Sequence, residues 1–87
     1  MDELVKAKPN TIVTWDTGTI KFFDPVRRWG FILPDDGFDD VFLPWTTLQE
    51  SGIRESSARI GVRVMYVSEA PDHPGRRPKA IRLRLMR

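Results

Sequence analysis

Apolar and polar residues alternate in five short stretches, each bounded by Gly, Pro or Asp, a pattern that predicts five β-strands. The first covers about 15–23 (WDTGTIKFF), the second 28–33 (RWGFIL) and the third 40–44 (DVFLP). The fourth covers about 60–68, with Val62, Val64 and Tyr66 on one face and Arg63 and Met65 on the other. The fifth covers 79–86, with Ile81, Leu83 and Leu85 inward and Arg82 and Arg84 outward. Asp24-Pro25 initiates a turn after the first strand, Asp36-Gly37 is a hairpin signal after the second, and PDHPGRRP at 71–78 precedes the last. Residues 45–58 are mixed, with one helical turn expected over 46–49. With no long helical period, the pattern predicts a small closed barrel or sandwich, since open edges in so small a sheet invite aggregation.

The size agrees: 87 residues make one domain with a thin core. A composition 40% apolar and 30% charged is that of a folded protein. No apolar run approaches the ~20 residues of a membrane-spanning helix, so no membrane partner is expected. Residues 1–14 read as a flexible N-terminal arm and 15–87 as the folded domain. The arm has no apolar segment of the kind a secretory leader needs, so a cytoplasmic location is expected. The absence of cysteine removes disulfides, thiolate metal sites and cysteine nucleophiles, and a single histidine removes any multi-histidine site. Net charge is only +2, but it is unevenly placed. Residues 1–53 hold five Lys/Arg against nine Asp/Glu, and residues 54–87 hold nine against three. The basic half suits an anionic partner such as nucleic acid, and a merely solvated surface is the alternative.

Seven of the nine aromatic residues fall between 22 and 45: Phe22, Phe23, Trp29, Phe31, Phe38, Phe42 and Trp45. Alternation puts Trp29 and Phe31 on one face of the second strand, and Phe42 and Pro44 on one face of the third. Aromatic residues on strands usually form core. Here, however, Val41 and Leu43 already supply an apolar face, and Lys21, Arg27 and Arg28 lie among the rings. Core has no use for those cations, whereas a surface for single strands needs rings for bases and cations for phosphates.

These residues carry a resemblance. RRWGFI at 27–32 resembles the Lys-Gly-Phe-Gly-Phe-Ile motif of cold-shock domains, and VFLPW at 41–45 resembles their Val-Phe-Val-His-Phe motif. GTIKFF at 18–23 is similar to the family's first strand, Gly61, Val64 and Tyr66 to its fourth, and PKAIRL at 78–83 to its end. The resemblance covers about residues 16–86. It implies an all-β, five-stranded antiparallel OB-fold barrel that binds single-stranded RNA or DNA as an RNA chaperone, without enzymatic activity, ATP or cofactor. Position by position, it assigns the binding face to Lys21, Phe22, Arg27, Arg28, Trp29, Phe31, Phe42, Pro44 and Trp45. The chain departs from the pattern at Arg28, where the family has glycine, and at Pro44, where it has histidine. Ile53 stands near a family aromatic, and the loop before Gly61 is about two residues longer than usual. The resemblance also needs Ile20 inward and Phe22 outward, which strict alternation forbids, so a bulge near Lys21 is expected.

Other constellations read as structural. Asp35, Asp36, Asp39 and Asp40 fit no calcium-loop spacing and read as a solvated hairpin loop, so no metal is expected. His73 beside Asp72 has only Ser68 as a nearby nucleophile and reads as a turn residue. Arg76 and Arg77 fit phosphate contacts and a solvated loop equally well; Arg82, Arg84 and Arg87 extend the basic surface or keep an edge soluble. The competing function is a protein-interaction module using the same aromatic face; a monomer is expected, with a dimer through that face as the alternative.

Overall fold

Five strands form where the alternation predicts them: β1 (Asp16–Asp24), β2 (Trp29–Pro34), β3 (Val41–Pro44), β4 (Arg63–Glu69) and β5 (Lys79–Leu85). The structure is a computed structural model and describes residues 13–37, 39–71, 73 and 75–86. All but Val13 and Thr14 of the expected arm lie outside the described residues, as do Phe38, Asp72 and Arg87. The strands close into an OB-fold barrel in the order β1-β2-β3-β5-β4. One detail differs from the expected antiparallel barrel: β3 and β5 run parallel, with Phe42 opposite Lys79. Directions cannot alternate all the way around a closed ring of odd number, so one seam of the five must be parallel.

Inside the ring lie Ile20, Ile32, Val41, Leu43, Val64, Tyr66, Ala80 and Leu83, all nearly inaccessible to solvent. The helical turn expected over 46–49 is a short helix, α1 (Trp45–Glu50), which caps one end of the barrel with Leu48. Its polar groups are satisfied as they are buried: the Thr47 hydroxyl donates to the Ala80 carbonyl at 2.6 Å, and Leu83 N–H donates to the Ser51 hydroxyl at 3.0 Å. Ile53 packs against this core as well.

Two irregularities set side-chain direction. In β1, Ile20 lies opposite Ile32 and Phe22 opposite Phe31, so Lys21 is an extra residue. This is the expected bulge, and it turns Ile20 inward and Phe22 outward. In β5, Arg82 faces Val67 and Ala80 faces Ser68, which leaves Ile81 unopposed. The inward pair is therefore Ala80 and Leu83, and the expected stripe Ile81, Leu83, Leu85 is corrected: Ile81 is half-buried and Leu85 is 40% exposed.

The acidic loop after β2 is tied down as well as solvated. Asp35 accepts from both Arg63 guanidinium nitrogens at 2.6 Å and from the Thr17 hydroxyl at 2.6 Å, joining the loop to β1 and β4. The Arg63 and Thr17 hydrogen bonds hold the Asp35 carboxyl at about 2, below its ordinary value of 3.8. A depressed carboxylate stabilises the fold above its unfolded-state pKa and loses that contribution as pH falls through the folded value. Unfolding midpoints should therefore fall as pH is lowered from 3.8 to about 2, and the Asp35→Asn variant should show a shallower fall over that pH interval. A carboxyl NMR titration placing Asp35 near 3.8 would refute the pairing.

Candidate nucleic-acid interface

On the outer surface of β1, β2 and β3, four rings meet edge to face. Phe22 lies 5.8 Å from Trp29 and 5.7 Å from Phe31, Trp29 lies 5.7 Å from Phe31, and Phe42 lies 5.9 Å from Phe31 and 6.2 Å from Trp29 (centroid distances). Each ring is half-buried, and none of the four belongs to the buried core cluster. The cause is local: Gly30 and Ile32 take the inward positions of β2, Val41 and Leu43 those of β3, and the Lys21 bulge brings Phe22 to the same side. A contiguous patch of half-buried rings on the outer face of so small a protein suits a binding surface. Pro44 is half-buried on this side, opposite Trp29.

Trp45 stands at the head of α1, beyond the four-ring cluster, with the Arg28 guanidinium 4.6 Å over its ring. The backbone joins the two residues, since Trp45 N–H donates to the Arg28 carbonyl at 2.9 Å. Asp24 shapes the turn before β2: its carboxylate accepts from the backbone N–H of Val26 and Arg27, at 2.9 and 3.2 Å. Arg28 N–H donates to the Asp24 carbonyl at 2.7 Å. Arg28 itself has φ 67°, in the left-handed region, where a residue with a Cβ pays about 1–2 kcal/mol.

Of the expected cations Arg28 lies on a ring, while Lys21 and Arg27 have carboxylate neighbours. Lys21 is exposed at the bulge but pairs with Asp40 at 2.8 Å. Arg27 lies loosely, 3.8 Å, from the Asp24 carboxylate and is largely exposed. Arg77, which the sequence left undecided, lies over Phe31 with its guanidinium carbon 5.4 Å from the ring centroid. Gly75, Arg76 and Arg77 form a shelf beside Phe31 and Phe42. Its signal was indirect: the loop leads into Pro78, whose carbonyl accepts the Phe42 N–H at 2.9 Å, so β-pairing carries the loop's cations over the rings. Trp15 packs elsewhere, with Arg84 5.6 Å over its ring.

Among the described residues, no three His, Cys, Asp or Glu side chains converge to hold a metal ion, and no helix is long and apolar enough to cross a membrane.

No protein-family model matches the chain. Curated proteins do. It is 46% identical over 50 residues to a probable cold shock protein of Sinorhizobium fredii, covering 58% of this chain and 70% of that one. It is 37% identical over 60 residues to probable cold shock protein A of Mycolicibacterium smegmatis, covering 67% of this chain and 90% of that one. The chain belongs to the cold-shock protein family. Cold shock domain-containing protein 4 of Arabidopsis thaliana is 39% identical over 64 residues, 74% of this chain but 30% of that longer protein.

For a cold-shock protein the departure at residue 28 now has a physical meaning. Arg28 occupies a left-handed backbone, which a glycine takes without strain, and places a guanidinium there.

Proposed function

We propose that this cold-shock protein binds single-stranded nucleic acid and acts as an RNA chaperone. Bases stack on Phe22, Trp29, Phe31, Phe42 and Trp45, while Lys21, Arg27 and Arg77 hold phosphates and Pro44 packs against a sugar or base. The observation that carries this reading is the row of half-buried rings, with Arg28 and Arg77 over two of them, outside the buried core. Rings alone would suit an apolar protein partner; rings bordered by guanidinium groups suit flat bases on an anionic chain. Reaching a phosphate, Lys21 exchanges one anion for another, and an exposed ion pair of its kind is worth only about 0–1 kcal/mol.

Stacking competes with pairing, so a protein that binds only the open strand draws hairpins toward it by mass action, with no need for ATP. Tryptophan fluorescence titrated with oligo-dT, oligo-U and a duplex control tests the reading, in a Trp15→Phe background that leaves only Trp29 and Trp45 to report. Quenching should occur with the single strands and not the duplex. Three phosphate contacts at about 0.7 each give a slope of log affinity on log salt near −2. Equal quenching by the duplex would refute the proposal, as would a rise in size-exclusion mass without oligonucleotide together with no quenching; the latter pattern belongs to a dimerisation face.

A further inference from the structure

We propose that Arg28 and Trp45 form a guanine-reading subsite at one end of the aromatic row, an inference that rests on the single-strand reading above. Arg28 keeps a left-handed backbone that glycine would occupy without strain, so its side chain is retained against a conformational penalty. The backbone is held on both sides, by the Arg28 N–H to Asp24 and by the Trp45 N–H to the Arg28 carbonyl. Lys21, Arg27, Arg63 and Lys79 each face a carboxylate. Arg28 forms no ion pair among the described residues, and its guanidinium lies over the Trp45 ring.

A guanidinium held on an aromatic face still has its N–H fork available to acceptors beside the ring. Guanine offers such a fork two acceptors, O6 and N7, on one edge; adenine offers one acceptor and a donor there. A guanine stacked at this end of the row would meet the fork edge-on, and the neighbouring Pro44 contributes no competing donor.

The test walks a single G, A or C through every position of a uridine heptamer and measures each affinity. At one position G should bind about tenfold tighter than U, with the other positions flat. In Arg28→Lys, which keeps the charge but loses the fork, and in Arg28→Gly, which relaxes the backbone, the G-to-U ratio should fall to about one. Absence of any G-preferring position in the wild type overturns the inference, and so does a preference that survives in Arg28→Lys. An equal loss on every sequence with the G-to-U ratio intact also overturns it, because that is the behaviour of a phosphate contact. Wild-type affinity for the all-uridine strand reports separately on the parent reading.

Discussion

Phe31→Ala should weaken binding of oligo-dT by about 1–3 kcal/mol, roughly 5- to 150-fold, while leaving a folded protein. Phe31 is the centre of the row, with Phe22, Trp29 and Phe42 all within 5.9 Å and Arg77 above it. Removing its ring deletes a stacking platform and the seat of one cation together. The fold loses three edge-to-face contacts on the outer face, about 0.5–1.5 kcal/mol each, and no part of the interior core. The neighbouring residue supplies the contrast. Ile32 is fully buried, so Ile32→Ala should cost about 2–5 kcal/mol of stability yet leave the affinity of the folded fraction near wild type. Urea denaturation and fluorescence titration on both variants decide the matter. Reversed outcomes would mean that β2 presents its other face to solvent.

Gly30→Ala should be the most damaging single methyl in the chain. An added Cβ would lie 2.1 Å from the Phe22 carbonyl oxygen and 2.7 Å from the Phe23 Cα. Both are backbone atoms of the adjacent strand, and no side-chain rotation relieves the contact. β1 must withdraw from β2 just after the Lys21 bulge, at a cost of about 3 kcal/mol or more. A domain of this size has only about 4–13 kcal/mol in total. The same withdrawal displaces Phe22 from its neighbours, so affinity should fall along with the melting temperature. A variant melting within a few degrees of wild type would show that the strands do not approach so closely.

Local features were legible in the sequence. The strands follow from alternation, and the bulge at Lys21 was legible because Ile20 and Phe22 could not share a face if the resemblance held. The bulge at Ile81 was hidden: Ile81, Leu83 and Leu85 alternate without a break, and the small inward Ala80 leaves no hydrophobic signature. Partnerships between distant segments were hidden too. The Asp35–Arg63 pair joins residues 28 apart, and Arg77 reaches Phe31 only because β3 and β5 adjoin. The left-handed backbone at Arg28 could be inferred only as a departure from glycine; its stack on Trp45 required the fold.

The parallel seam between β3 and β5 is the thinnest part of the barrel wall, one residue pair braced by the Phe42–Pro78 hydrogen bond and by the Thr47 hydroxyl at the edge of α1. Phe42 stands on one bank of that seam, and the loop bearing Arg77 leads into the other. A polynucleotide lying across both would act as a stitch, so occupancy and closure of the ring reinforce each other. Amide protons along the seam should accordingly exchange more slowly once cargo is aboard.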